Sequence, residues 1–111
     1  MDKLELYRKI IEEILTEQAG YKLANSDIEK ELIMDRERDH YQVSLVGWEG
    51  LKRVHSCSIH IDIKGDKVWL QRDYTDAEIA EQLLEKGIPK EDIVLGFHAP
   101  YKLPYTGFAI A

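Results

Sequence analysis

The chain has 111 residues, of which 44% are hydrophobic and 32% are charged, as is typical of one soluble globular domain. Its net charge is −6 and its basic residues are interleaved with acids, which disfavours direct DNA binding because phosphate contacts need a concentrated positive surface. The single cysteine, Cys57, suits a reducing compartment, and the charges in the first residues predict neither a signal peptide nor a membrane span. We therefore expect one cytoplasmic domain over residues 1–111, with no membrane association.

The first predicted element is a helix from Asp2 to about Gln18, with Gly20 as the stop signal. Its apolar residues recur at steps of three and four and share one face: Leu4, Tyr7, Ile11, Ile14 and Leu15. A strand at about residues 28–34 follows, and it places Ile28, Leu32 and Met34 on one side. The charged stretch "DRERD" then predicts a turn.

Three further strands are predicted at about residues 40–48, 53–63 and 67–73, because apolar and polar residues alternate through them. One side of these strands is apolar and is expected to form a buried sheet face. Its members are Tyr41, Val43, Cys57, Ile59, Ile61, Val68 and Leu70. On this basis Cys57 is a small buried hydrophobe rather than a nucleophile.

The turns between these strands predict their register. A two-residue turn at Gly65 and Asp66 pairs Ile63 with Val68, which keeps apolar residues together. A two-residue turn at Glu49 and Gly50 would mix the two faces, so we predict a three-residue loop at residues 49–51. That loop gives the pairs Tyr41 with Ile59, Val43 with Cys57, Ser44 with Ser56, Val46 with Val54, and His40 with His60.

The C-terminal third predicts a second helix, a short strand and a packed tail. Thr75 and Glu78 match a capping box, Tyr74 can pack on Ile79 as a hydrophobic staple, and Gly87 is a suitable helix stop. The strand lies in "DIVLGF", and the tail "HAPYKLPYTGFAIA" is too apolar to stay free. The predicted class is α+β: an N-terminal helix, an antiparallel meander of about four strands, a second helix, a short strand and a C-terminal tail.

The polar side of the strands carries His40, His60 and Asp62, whose side chains are of the types that bind metals. A small metal-assisted enzyme using these three residues is therefore one alternative. Their spacing matches no stringent motif, however, and the histidines supply two ligands with Asp62 as a doubtful third. We expect no catalytic residue, no cofactor and no stoichiometric zinc or manganese.

The same polar side also carries tryptophan and valine beside short hydroxyl side chains. Such a surface resembles a protein–protein interface more than a solvated face. The predicted partner or dimer face consists of Ser44, Val46, Trp48, Val54, Ser56, Ser58, His60 and Trp69. The alternative is that the C-terminal tail folds back and covers this face within one chain.

Four stretches carry a family resemblance: "ERDHYQVSLVGWEG", "CSIHIDIK", "KVWLQRD" and "GIPKEDIVLGFHAPYK". Together they resemble the XisI family, the fdxN element excision controlling factors of cyanobacteria, and the resemblance runs nearly end to end. It implies a non-enzymatic accessory role in DNA-element excision during heterocyst differentiation, in which a separate recombinase cuts and rejoins the DNA. It also implies an XisH-type protein as partner and assigns no catalytic residues. A homo-oligomer and a direct DNA-binding directionality factor remain alternatives.

Overall fold

The computed structural model describes residues 2–23 and 26–111 and shows an α+β fold, as predicted. Its five strands form one sheet in the order β1-β2-β3-β4-β5. The first four are antiparallel neighbours, and β5 runs parallel to β4 after the crossover through α2. The elements are α1 (Lys3–Gly20), β1 (Asp27–Asp35), β2 (His40–Glu49), β3 (Lys52–Lys64), β4 (Lys67–Asp73), α2 (Ile79–Glu85) and β5 (Ile93–Leu95), with 3₁₀ turns at Lys90–Asp92 and Pro100–Tyr105.

Both helices pack on one face of this sheet, and the core lies between the two layers. The core side chains from the sheet are Tyr41, Val43, Ile59, Ile61, Ile63, Val68, Leu70, Ile93 and Leu95, and α1 and α2 add Tyr7, Ile10, Ile11, Ile14, Leu15, Ile79 and Leu83. The predicted apolar face is thus confirmed, except for Cys57. No helix among the described residues is long and apolar enough to cross a bilayer.

The register between β2 and β3 corrects the predicted one. The tip is a two-residue turn at Gly50 and Leu51, closed by the pair Glu49 and Lys52. A β-bulge at Ser58 then inserts one extra residue into β3, which returns the isoleucines to the core. The observed pairs are therefore Tyr41 with Ile61, Val43 with Ile59, Ser44 with Cys57, Val46 with His55, Gly47 with Val54, and His40 with Asp62. The hairpin at Gly65 and Asp66 has the predicted pairs.

Two hydrogen bonds explain why the chain tolerates the bulge. The Ser58 hydroxyl donates to the Val43 carbonyl oxygen at 3.0 Å, and the Ser58 carbonyl oxygen accepts from the Tyr74 backbone N–H at 2.8 Å. A bulge disrupts the ladder, so these bonds replace pairings that the regular sheet would supply. Ser58 is consequently buried rather than part of an accessible surface.

The start of α2 also differs from the prediction. Glu78 has a left-handed backbone and its side chain makes no capping bond, while Tyr74 stays mostly exposed and forms no staple. Asp73 takes the capping role, because its carboxylate accepts from the N–H of Thr75 and from the N–H of Ile79 at 3.1 and 3.2 Å. A carboxylate at a helix start satisfies donors that have no partner in the helix.

The C-terminal tail packs against the β5 end of the sheet, as expected from its composition. Ala109 forms a parallel bridge with Val94, and its N–H donates to the Ile93 carbonyl oxygen at 2.8 Å. Val94 and Leu103 are buried but lie outside the main core cluster. The tail therefore closes the β5 edge, while β1 remains the open edge of the sheet.

Candidate functional site on the outer face of the sheet

The face of the sheet that points away from the helices is called the outer face below. On β2 it comprises the residues at even positions, His40 to Trp48, because successive side chains of a strand alternate between faces. Pairing then assigns its other members: Asp27, Glu29, Glu31, Ile33 and Asp35 of β1, Arg53, His55, Cys57, His60, Asp62 and Lys64 of β3, Lys67, Trp69 and Arg72 of β4, and Val94 of β5. This face combines His40, Cys57, His60 and Asp62 with three apolar residues of the predicted interface, Val46, Trp48 and Trp69.

Asp62 lies at the centre of the polar part of this face. Its Oδ1 lies 2.8 Å from Nδ1 of His40 and 2.9 Å from Nε2 of His60, and its Oδ2 accepts from Nε2 of Gln71 at 3.2 Å. Burial of Asp62 raises its carboxyl pKa, but the hydrogen bonds from His40, His60 and Gln71 outweigh burial and hold the pKa below its usual value. Asp62 is therefore an anion held by three donors.

The position of Gln71 depends on a second β-bulge. His60 pairs with Arg72 while Ile61 pairs with Leu70, so Gln71 is the extra residue of β4. Bulges re-aim side chains and are frequent beside functional sites. Here the bulge lets Gln71 reach Asp62, although Trp69 is the residue directly opposite Asp62.

His40 is fixed through its neighbour Asp39. The Asp39 carboxylate accepts from Nε of Arg8 at 2.8 Å and from the Tyr41 hydroxyl at 2.9 Å. The Arg8 hydrogen bond is the main reason that the pKa of Asp39 is lowered. The Asp39 carbonyl oxygen also accepts from the Ile63 N–H at 3.1 Å. Helix α1 thereby locks the start of β2 against the end of β3, which sets His40 beside Asp62.

The apolar part of the outer face is organised around two tryptophans. Trp48 is 50% exposed, and the guanidinium of Arg53 lies 5.5 Å from its ring centroid. Trp69 is half-buried, and the Lys64 ammonium lies 4.5 Å from its ring centroid. Cations at these distances are attracted to the face of an aromatic ring. Gly96 lies close to the Trp69 ring, so Trp48 is the more accessible of the two tryptophans.

Three members of the predicted partner face, Val54, Ser56 and Ser58, are not on the accessible outer face. Because the bulge at Ser58 reverses the alternation of β3, Val54 and Ser56 point to the helix side, and Arg53, His55 and Cys57 take their place. Sequence reasoning missed Arg53 and His55 for this reason. The remaining members, Ser44, Val46, Trp48, His60 and Trp69, do share the outer face, and Ser58 occupies the bulge.

Cys57 is the residue whose observed environment differs most from the predicted one. It lies beside Ser44 on the outer face and is half-buried, whereas the alternation of residues predicted a place among the isoleucines. Its Sγ donates to the Ile59 carbonyl oxygen at 3.3 Å, and burial raises the pKa of its thiol. A raised pKa lowers the thiolate fraction, so Cys57 is a poor nucleophile here despite its new position.

A comparison with known protein families identifies the family of this chain. The family model described as XisI protein matches residues 1–110. The chain belongs to the XisI family.

Solved structures agree with the assignment to XisI. The chain is similar to an XisI-like protein from Anabaena variabilis ATCC 29413, at 45% identity and a TM-score of 0.91, over 99% of this chain and 100% of that one. It is also similar to the fdxN element excision controlling factor XisI from the same organism, at 40% identity and a TM-score of 0.87, with the same coverage. A comparison with curated proteins gave no match. The sheet that carries the outer face is thus part of a fold that XisI proteins share.

Proposed function

We propose that this XisI-family protein is a non-enzymatic controlling factor in the excision of a DNA element, and that it acts in the cytoplasm by binding an XisH-type protein. The match to XisI over residues 1–110 supports the family role, and one similar structure is that of an excision controlling factor. Excision during heterocyst differentiation is the setting that the resemblance implies. DNA is then reached only through protein partners.

The observation that carries this proposal is the outer face. Both helices pack on the opposite side of the sheet. The C-terminal tail folds back over the outer face at β5, where Val94 pairs with Trp69, bridges Ala109 and is fully buried, so the predicted tail cover applies to this end of the face. Trp48 and Ile33 remain about half exposed, and they flank half-buried Val46 and Ser44. Apolar side chains grouped in this way on an antiparallel sheet are typical of a docking surface, because burying them removes apolar area from water.

Trp69→Glu is expected to weaken binding to an XisH-type partner by about 30-fold or more, because a buried aromatic anchor contributes about 2 kcal/mol or more. The substitution removes the ring and places a carboxylate directly opposite Asp62 in the contact. The measurement is a binding titration of purified proteins by calorimetry, with the melting temperature of each variant recorded.

Leu6→Glu is the matched control. Leu6 is an apolar residue of helix α1 that is 45% exposed, close to the 50% of Trp48, but it lies far from the outer face. Its binding should equal that of the unmodified chain. Unchanged affinity in both Trp69→Glu and Trp48→Glu would refute the docking role of the outer face. Loss of self-association without loss of XisH-type binding would assign the face to a second copy of the chain instead.

Isolated protein is expected not to bind duplex DNA tightly at about 150 mM salt, because affinity for phosphates comes from Lys and Arg that release counterions. On the outer face the pair Lys64 and Lys67 is separated from Arg53 and Arg72. Five acidic residues share this face: Asp27, Glu29, Glu31, Asp35 and Asp62. Fluorescence anisotropy with labelled duplex checks this. A submicromolar dissociation constant at that salt would favour the directionality-factor alternative.

A further inference from the structure

A cluster of three ligand-type side chains lies on the outer face next to Trp69, which is directly opposite Asp62. Nδ1 of His40, Nε2 of His60 and a carboxylate oxygen of Asp62 all lie within 4.8 Å of one another. The two imidazoles approach the same atom, Oδ1 of Asp62, from adjacent strands. Two imidazoles and a carboxylate are thus directed to one point of the sheet surface.

We propose that His40, His60 and Asp62 form a binding site for a divalent transition-metal cation of the zinc type. Imidazole nitrogen combined with one carboxylate is the ligand set of zinc, cobalt and iron sites, whereas magnesium and calcium select oxygen donors. The expectation from sequence, which counted Asp62 as a doubtful ligand, placed His40 opposite His60. The observed register instead sets His40 opposite Asp62.

The distances suit an ion of this size. Ligand atoms about 2.0–2.1 Å from a tetrahedral ion lie roughly 3.3 Å from each other. The two contacts to Asp62 Oδ1 are 2.8 and 2.9 Å, and the three ligand atoms all lie within 4.8 Å of one another. Binding therefore requires the two imidazoles to rotate, so that each ring nitrogen exchanges its hydrogen bond to Asp62 for the ion.

Burial and a neighbouring hydrogen bond fix the carboxylate of Asp62 within the cluster. Asp62 is 7% exposed, and Gln71 holds its second oxygen. Hydrogen bonds of this kind orient a metal-binding carboxylate from outside the coordination sphere. His40 is exposed and His60 is half-buried, so the remaining coordination positions are open to solvent. This site is a binding site and requires no catalytic step.

The test is a titration of untagged, chelator-treated full-length protein with Zn²⁺, Co²⁺ and Mg²⁺ by calorimetry, with visible absorption as a second readout for Co²⁺. We expect one Zn²⁺ or Co²⁺ per chain and no comparable binding of Mg²⁺. Gln71→Leu should weaken Zn²⁺ binding by about 10- to 100-fold, as is usual for loss of an outer hydrogen bond to a ligand. His60→Gln and Asp62→Asn should abolish the one-per-chain site and the Co²⁺ absorption band.

His55→Gln is the matched control, because His55 lies on the same face but outside the cluster. It should bind Zn²⁺ like the unmodified chain. Circular dichroism of each metal-free variant separates lost ligation from lost folding, and ring resonances of His40 and His60 in NMR spectra report binding directly. Absence of one-per-chain binding, or binding that survives both His60→Gln and Asp62→Asn, would show that the three side chains form only a hydrogen-bonded cluster.

Discussion

Ile61→Ala is expected to lower the free energy of unfolding by about 2–5 kcal/mol, the usual range for removing a large aliphatic side chain from a packed core. Ile61 has no exposed surface, and its strand neighbours across the sheet are Tyr41 on β2 and Leu70 on β4, both also buried. The substitution leaves a cavity between the sheet and the helices. Chemical denaturation monitored by tryptophan fluorescence measures the change.

Ile33→Ala is the control for this experiment. Ile33 is 47% exposed on the edge strand β1, so its substitution should change stability by no more than about 0.5 kcal/mol. A stability loss below about 1 kcal/mol for Ile61→Ala would contradict the assignment of the core face. Because Ile61 points away from His60 and Asp62, the loss should also leave the outer face chemically unchanged.

The sequence predicted those parts of the sheet whose register is set locally. Gly65 and Asp66 both adopt positive φ, as a two-residue hairpin turn of this kind requires, and the pairs beyond the turn follow. Apolar alternation likewise identified the buried residues of β2, β3 and β4. In these cases turn chemistry and burial specify the same arrangement.

The β2–β3 hairpin could not be predicted in the same way. A three-residue loop and a two-residue turn followed by a bulge both return Ile59 and Ile61 to the core. The choice depends on the contacts of Ser58 with Val43 and Tyr74, and the latter comes from a distant part of the chain. The start of α2 shows the same limit, because Asp73 competes successfully with the capping box at Thr75.

The candidate site was predicted as a set of residues but not as a geometry. Alternation placed His60 and Asp62 on one side of β3, and they do share the outer face. The shorter turn and the bulge each move β3 by one residue relative to the predicted pairing, so His40 lies opposite Asp62 and contacts it directly. A shift of two residues keeps each side chain near the site on the same face of the sheet, because side chains alternate between faces. It changes only which side chains are cross-strand neighbours.

Gly47→Ala should destabilise the fold by about 1–3 kcal/mol, mainly by detaching the first half of β1. Gly47 has a φ of +155° and pairs with Ile28, and an added Cβ would overlap the Asp27 carbonyl oxygen and lie 2.8 Å from the Ile28 Cα. These are backbone atoms of the neighbouring strand, so β1 must move because no side chain can rotate away.

Hydrogen–deuterium exchange of β1 measures this effect directly, since the β1–β2 hydrogen bonds open when the strands separate. Gly20→Ala is the control, because its added Cβ has no atom within 4 Å and Gly20 lies at the end of a helix, where alanine is favourable. Protection of residues 27–31 should fall only in Gly47→Ala. Since the first half of β1 lies beside Val46 and Trp48 of the outer face, this variant should also weaken partner binding, but less than Trp69→Glu does. Unchanged exchange in β1 would mean that the sheet accommodates a side chain at Gly47, and the close approach of the two strands would then not require glycine.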